Sequence, residues 1–297
     1  MTGLLSEVGW QDFIDFGNYG ELLPLVRNSL VAGAILGVLG GVVGIVVMAR
    51  DLPFAVHGIS ELSFAGAAGA LLFGYSVVTG AFVGSLIAAA LLGMLGMQAR
   101  DRNSVIGVIM PFGLGLGILF LSVYEGRTAN KFGLLTGQIV AVDSTSLRTL
   151  AVTTIVVLAA MAAIWRPLMF ASVDSDVAAA RGVPVRLLGP LFMLLLGLAV
   201  ALSVQVVGAL LVLALLCVPA AAAIQVTASA LWTPVLSVLF ALTATVGGIL
   251  LAVGTAIPIS PYITTISFAI YVGCRLLGWV RGRRGWGVRP YEEEAVA

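Results

Sequence analysis

Long apolar runs, separated by short polar segments, recur along almost the whole chain. A run of about 20 residues is long enough to cross the hydrocarbon core of a bilayer as one α-helix. The chain has nine such runs, at 29–49, 54–74, 76–98, 104–124, 147–169, 187–204, 208–227, 233–253 and 262–280. Only Ser203, Gln205 and Gly208 separate the sixth run from the seventh, so eight spans are an alternative. The pattern predicts an all-α fold, a polytopic bundle of membrane helices.

The polar stretches around these runs suggest how the chain is divided. Residues 1–28 mix polar and aromatic side chains, which indicates a segment outside the membrane or at its interface. Residues 29–280 form the predicted transmembrane domain, in which a polar segment at 174–186 connects two helices. Residues 281–297 are predicted to be a cytoplasmic tail whose basic half lies against anionic membrane lipid.

The composition agrees with a membrane protein and argues against several other classes. Hydrophobic residues make up 60% of the chain and charged residues 10%, whereas soluble domains carry about 25% charged residues. The net charge of +1 gives no reason to expect nucleic acid as a partner. Cys217 and Cys274 both lie in apolar runs and are too few for a disulfide framework, so we expect them to be packing residues.

Basic residues predict the orientation in the membrane, because short cytoplasmic loops carry an excess of Lys and Arg. With the N-terminus outside, eleven basic residues lie on the inner side and four on the outer side. The inner ones are Arg50, Arg100, Arg102, Arg166, Arg181, Arg186, Arg275, Arg281, Arg283, Arg284 and Arg289, and the outer ones are Arg27, Arg127, Lys131 and Arg148. We therefore expect a multi-pass protein with its N-terminus outside and its C-terminus in the cytoplasm.

Glycines four residues apart recur inside the predicted spans, as in Gly33/Gly37, Gly40/Gly44 and Gly113/Gly117. Small residues at this spacing let the backbones of two helices approach closely. The spacing predicts tight packing of neighbouring helices at these positions.

The second run contains the only histidine of the chain, His57, and an isolated acid, Glu61. Side chains four residues apart on a helix project from the same face, about 5–6 Å apart, and Ser60 would lie beside them. A charged group near the centre of a membrane helix costs roughly 3 kcal/mol, so such residues usually have a function. An imidazole and a carboxylate together suit Zn²⁺, Mn²⁺ or Fe²⁺. The pattern therefore favours a metal site of His57, Glu61 and Ser60, with open coordination positions that a two-fold dimer could fill.

Other interpretations of this pair stay open at the level of sequence. His57 is about one turn from the expected membrane edge, so it could be an interfacial residue paired locally with Glu61. The two side chains could also relay protons in a secondary transporter. A zinc protease is not indicated, because Gly58 and Glu61 stand where the H-E-x-x-H motif has its base and its second histidine.

Two further stretches, taken together with the one around His57 and Glu61, resemble a known family. They are the polar segment 174–183, which reads D-S-D-V-A-A-A-R-G-V, and the run 208–223, which contains Pro219. Together they resemble the transmembrane permeases of bacterial ABC importers for manganese, zinc and iron. In that family the second span commonly reads G-D-A-x-S-H-A. His57 stands at the position of the aspartate and Glu61 at that of the histidine, so the order of the two ligand types is exchanged. Ser60 matches the serine of the motif.

The resemblance implies a homodimeric permease that moves a divalent metal ion across the bacterial cytoplasmic membrane by alternating access. It also implies an ATP-binding subunit and an extracellular metal-binding protein as partners, and no covalently bound cofactor. The segment 174–186 would be the coupling segment, a short helix that docks into the ATP-binding subunit. Its characteristic residues here are Asp174, Asp176, Ala178 and Gly182. A permease for a metal chelate, from a related class with ten spans, is an alternative.

The energy source is expected to lie in another subunit. The one lysine of the chain, Lys131, follows Asn130, so no phosphate-binding loop of the form G-x-x-x-x-G-K-[ST] is present. We therefore predict a transport subunit that is not itself an enzyme and that depends on a partner for ATP hydrolysis.

Overall fold

The structure is a computed structural model that describes residues 19–95, 99–126, 142–253 and 258–283. Most of the predicted outer segment 1–28 and of the predicted tail 281–297 lies outside these residues. The helices, in chain order, are α1 Tyr19–Leu22, α2 Arg27–Ala49, α3 Pro53–Leu72, α4 Val77–Leu95, α5 Ala99–Val123, α6 Ser144–Val173, α7 Ser175–Ala180, α8 Val185–Val207, a 3-10 turn Ala209–Leu211, α9 Val212–Leu216, α10 Val218–Val226, α11 Trp232–Ala252 and α12 Ile259–Arg283.

Nine candidate membrane spans occur in the described part of the chain, which confirms the predicted helix bundle. Eight of them are the continuous helices α2, α3, α4, α5, α6, α8, α11 and α12, and the remaining one is the interrupted span Ala209–Val226. The weak boundary between the sixth and seventh runs falls at Gly208, which ends α8 with φ +84°. Glycine adopts this conformation readily because it has no Cβ atom. The described residues thus favour nine spans over eight.

The bundle is organised around contacts of α3, α2 and α8. Helix α3 packs along α4 and α5, and α2 packs along α11 and α6. Helix α8 lies between these groups, because it contacts α3 and α4 on one side and α2 and α6 on the other. Helix α12 covers α10 and α11. The candidate pair on α3 is thus placed beside α5 and close to the end of α8.

Close helix packing at the paired glycines is confirmed. A Cβ atom on Gly37 would lie 3.2 Å from the Cα atom of Leu242, and one on Gly40 would lie 3.0 Å from the carbonyl oxygen of Leu215. Larger side chains at these positions would push neighbouring backbones apart. The other members of the predicted pairs also lie directly against a neighbouring helix: Gly33, Gly44, Gly113 and Gly117.

Helix α6 begins with a side-chain cap at Asp143. The carboxylate of Asp143 accepts a hydrogen bond from the backbone N–H of Ser146 at 3.1 Å. Hydrogen bonds from the side chain and the backbone of Ser146 hold the pKa of Asp143 below its usual value. The cap is therefore ionised at neutral pH, and its negative charge is favourable at the positive end of the helix dipole.

Candidate metal site and coupling segment

The predicted pair lies near the beginning of α3, directly after a tight turn. Asp51 adopts φ +53° in this turn, and Pro53 is the first residue of the helix. Proline suits that position because the first helical residues have no intrahelical acceptor for their N–H groups. His57 follows in the second turn of α3, and Glu61 lies one turn further on.

His57 and Glu61 converge as their spacing predicts. The Nε2 atom of His57 lies 3.6 Å from the Oε1 atom of Glu61, a distance within ion-pair range but longer than a hydrogen bond. The side chain of Glu61 is 4% exposed, whereas that of His57 is 27% exposed. The carboxylate is therefore enclosed by protein, and the imidazole has one open side.

Two polar atoms of this pair have no hydrogen-bond partner. The Nδ1 atom of His57 and the Oε2 atom of Glu61 are both buried and both unsatisfied. A buried polar atom without a partner is unfavourable, and most such atoms in proteins have one. The pair therefore has a nitrogen and an oxygen available to a ligand, which is the donor set that the sequence predicts for a divalent cation.

Helix α5 forms one wall of the site. A Cβ atom on Gly113 would lie 3.0 Å from the backbone carbonyl carbon of Glu61 and 3.2 Å from the Cβ atom of Glu61. One turn earlier on α3, Gly58 faces Met110 and Ile106 of α5. The absence of a side chain at Gly113 thus lets α5 approach the backbone that carries the carboxylate.

Ser60 is fully buried and has a partner far away in the sequence. Its hydroxyl donates a hydrogen bond of 2.8 Å to the carbonyl oxygen of Ala209, directly after the interruption at Gly208. The assignment of Ser60 as a metal ligand stays a prediction. The structure shows that its proton is directed to the seventh span, while its oxygen still carries lone pairs.

One chain brings two metal-binding side chains together at this site. Within the described ranges, no group of three or more His, Cys, Asp or Glu side chains could hold a metal ion. Cys217, buried at the junction of α9 and α10, is not part of such a group. Further ligands for an ion at this position would have to come from water, from the backbone or from a second molecule.

The predicted coupling segment contains a short capped helix, α7. The carboxylate of Asp174 accepts hydrogen bonds from the backbone N–H groups of Asp176 at 3.0 Å and Val177 at 2.9 Å. Gly182 ends the helix with φ +83°, and the N–H of Val183 donates back to the carbonyl oxygen of Ala178. This pattern is a Schellman motif, which supplies N–H donors to the carbonyl groups of the last turn.

The side chains of α7 divide between the core and the surface. Ala178 is fully buried, and Asp174, Asp176 and Gly182 are exposed. Ala178 therefore anchors α7 to the bundle and leaves its polar first turn facing outward. The local fold of the segment is thus known, and its docking to another subunit stays a prediction.

Two features of the site were not predictable from the motif. The partner of Ser60 is a backbone carbonyl, and every residue has one, so no side chain marks Ala209 in the sequence. The close approach of Gly113 to Glu61 is only hinted at by the spacing of Gly113 and Gly117. That spacing indicates a helix contact but does not name the opposite helix.

Comparison with known proteins places these features in a family. The sequence profile described as the ABC 3 transport family matches residues 23–277. The chain is 30% identical over 203 residues to the manganese transport system membrane protein MntC of Halalkalibacterium halodurans, covering 68% of this chain and 70% of that protein. It is also 30% identical over 212 residues to the manganese import system permease protein ScaB of Streptococcus parasanguinis, covering 71% and 75%.

A solved structure has the same architecture. It is PsaBC from Streptococcus pneumoniae in complex with Fab, which superimposes with a TM-score of 0.76 at 25% identity, over 86% of this chain and 95% of that one. The family profile spans the bundle from the beginning of α2 to the second half of α12. From this match and from the related sequences, we conclude that the chain belongs to the ABC 3 transport family.

Proposed function

We propose that this chain is the permease subunit of an ATP-driven importer for a divalent transition-metal ion, and that His57 and Glu61 hold the ion during its passage. The observation that carries the proposal is the converging pair inside a membrane span, with its unsatisfied Nδ1 and Oε2 atoms. Ionisable side chains inside a membrane are unfavourable unless they are partnered. A divalent cation is a partner for both groups at once.

Manganese is the ion that we favour. Two relatives, MntC and ScaB, carry manganese in their names, and both align with more than two thirds of this chain. Zinc and iron(II) share the preference for mixed nitrogen and oxygen ligands, so the donor set alone suits all three metals. Two protein ligands also leave most of the coordination shell to exchangeable groups, as an ion that must leave the site requires.

A second copy of the chain would complete the site. The His57 side chain, which is 27% exposed, would face a two-fold axis, and two pairs across that axis would supply four ligands. Oligomers with two-fold symmetry bring the same surface patch of each copy together, so a half-site on one copy becomes a whole site in the dimer. The incomplete ligand set of one chain thus supports the proposed homodimer.

The energy for transport would come from a separate ATP-binding subunit that docks on α7. The exposed first turn of α7, with Asp174 and Asp176, lies next to the exposed apolar side chains of Val173 and Val177. A small apolar patch beside charged residues is typical of a protein interface. Nucleotide-driven movement of α7 would then change access to the site from one side of the membrane to the other.

In the proposed orientation in the bacterial cytoplasmic membrane, α7 lies in the cytoplasm and the N-terminus lies outside. This proposal is supported by the excess of arginines on the side of α7, which includes Arg181 and Arg186. An extracellular metal-binding protein would then deliver the ion to the opposite side of the bundle. Membrane lipid would surround the outward-facing apolar side chains.

The first test of this proposal is the double variant His57→Ala/Glu61→Ala in the complex with its ATP-binding subunit, reconstituted in liposomes. Uptake of Mn²⁺ should fall at least about 10-fold, because removal even of groups that only support metal ligands has effects of that size. The amount of assembled complex should not change. The control is Glu125→Ala, which removes an exposed carboxylate outside the site and should leave uptake unchanged.

Normal Mn²⁺, Zn²⁺ and Fe²⁺ uptake by the double variant would overturn the assignment of the site. A proton-coupled secondary transporter predicts another result: uptake would follow an imposed pH gradient and would need no ATPase partner. One observation favours the secondary transporter as a second candidate: a histidine and a carboxylate 3.6 Å apart could also pass a proton between them. Co-purification of an ATPase in fixed stoichiometry, together with ATP-dependent uptake, would exclude it.

A further inference from the structure

The helical conformation is interrupted at Gly208, between α8 and the seventh span, and this interruption lies beside α3, the helix that carries the metal pair. Helix α8 ends at Gly208, which has φ +84° and ψ +157°, and a 3-10 turn at Ala209–Leu211 follows. The short helix α9 runs from Val212 to Leu216 before α10 begins. Discontinuous helices of this kind lie at the substrate sites of many transporters, because their free backbone groups can bind or respond to the ion.

Two serines donate hydrogen bonds to backbone carbonyl groups at the interruption. The hydroxyl of Ser260, on α12, donates to the carbonyl oxygen of Val207 at 3.3 Å, and that of Ser60, on α3, donates to the carbonyl oxygen of Ala209 at 2.8 Å. Backbone carbonyls buried in a membrane need such partners. Both hydroxyls therefore stabilise the interruption, but only Ser60 belongs to the helix that carries His57 and Glu61.

Helix α8 joins the interruption to the coupling segment without a break. It begins at Val185, three residues after Gly182, and its 23 residues correspond to a rod of about 34 Å. Its far end is Val207, so the carbonyl of Ala209 lies just beyond the end of this rod. Helix α8 is thus the element that connects α7 with the residues bonded to Ser60.

We infer that Ser60 is a positioning residue: its hydrogen bond to Ala209 couples occupancy of the His57–Glu61 site to the position of α8 and so to the coupling segment. This inference rests on the proposed function. Ser60 precedes Glu61 directly in α3, so the hydroxyl that bonds to Ala209 is one residue away from a proposed metal ligand. Ser260 has the same kind of bond at the interruption, but it lies on α12 and not on the helix that carries the metal pair.

Three variants of the complex with its ATP-binding subunit test the inference: Ser60→Ala, Ser60→Thr and Ser260→Ala. Two quantities are measured with Mn²⁺ as the probe: the Kd without nucleotide, and the ratio of ATPase activity with and without the metal. For Ser60→Ala we expect a Kd within about threefold of that of the unmodified complex. The increase in ATPase activity that the metal causes should be about 10-fold smaller, a typical size for coupling between sites. Ser60→Thr, which keeps the hydroxyl, should restore the stimulation, and Ser260→Ala should retain it.

Each other result overturns the inference. Unchanged stimulation in Ser60→Ala would show that the bond transmits nothing, and a Kd weakened more than about 10-fold would show that Ser60 acts on metal affinity itself and not on the coupling. Equal loss in Ser60→Ala and Ser260→Ala would reduce both serines to structural support. Failure of the proposed function looks different, because the unmodified complex would then neither bind Mn²⁺, Zn²⁺ or Fe²⁺ nor respond to them. Loss of binding in His57→Ala/Glu61→Ala together with normal stimulation in Ser60→Ala would disprove the coupling inference alone.

Discussion

Glu61 is the residue whose surroundings decide what this site can do. Its side chain is 4% exposed, one of its oxygens lies 3.6 Å from His57, and the other is buried without a hydrogen-bond partner. A carboxylate in such a place is strongly disfavoured unless a cation or a proton joins it. The packing of α5 against its backbone, through Gly113, limits how far Glu61 can move away.

Gly113→Ala tests whether this close packing matters. An added Cβ atom would lie 3.0 Å from the backbone of Glu61, and overpacking of this kind costs about 1–3 kcal/mol. That penalty exceeds the gain of up to about 1 kcal/mol from replacing a helical glycine by alanine. We expect a lower thermal unfolding temperature of the purified complex and weaker Mn²⁺-dependent ATPase activity.

Gly115→Ala is the matched control, on the same helix. A Cβ atom there would meet nothing within 4 Å, so the unfolding temperature should stay the same or rise slightly. Equal effects of the two substitutions would show that the wall formed by α5 has no special role.

At the scale of single elements, α7 and α8 are the parts that we propose to connect the site to the ATP-binding partner. Helix α7 has six residues, too few to be stable alone, and it depends on its cap and on the Schellman motif. Both devices are built from residues of the helix and its immediate neighbours. The coupling segment can therefore be a preformed docking element and does not need to fold on its partner.

Asp174→Ala tests the importance of this preformed helix. The substitution removes the acceptor for the N–H groups of Asp176 and Val177, and loss of such a cap typically costs about 0.5–2 kcal/mol. We expect less ATP-binding subunit to remain bound to the permease during size-exclusion chromatography. Asp174→Asn keeps the capping acceptor and should retain the subunit, and retention by both variants would show that the cap is not needed for docking.

At the scale of the whole molecule, the proposed metal site takes half of its protein ligands from each of two copies of the chain. Helix α5 covers one side of the His57–Glu61 pair, and its outward face is apolar and exposed, with Phe112 at 60%. If the open side of the site lies on a two-fold axis, this face of α5 lies near the second copy. The exposed face of α6, on the far side of α8, would then point to lipid.

Thiol cross-linking in membranes can distinguish these two faces. We expect Phe112→Cys to form a covalent dimer with a short bifunctional thiol reagent, in a chain where Cys217→Ala and Cys274→Ala remove the native thiols. Ile155→Cys, on α6, replaces a residue of similar exposure, 65%, and should not form one. A dimer through position 155 and none through position 112 would require a different arrangement of the two copies.

Features that depend only on neighbouring residues could be predicted from the sequence. Length and composition of the apolar runs predicted the nine spans, because the bilayer demands helices of about 20 residues. The convergence of His57 and Glu61 follows from the geometry of a single helix turn. The helix in the coupling segment was likewise predictable, since Asp174 and Gly182 act within their own neighbourhood in the chain.

Contacts between distant segments could come only from the tertiary structure. The bond from Ser60 to Ala209 joins residues 149 positions apart, and the approach of Gly113 to Glu61 depends on how α5 packs against α3. The place of the interruption also needed the structure, because Ser203, Gln205 and Gly208 mark it only weakly. The sequence by itself therefore determined the helices and the residues that share a face, since these depend on neighbours along the chain. Which faces meet depends on the packing of the whole bundle, and only the fold decided that.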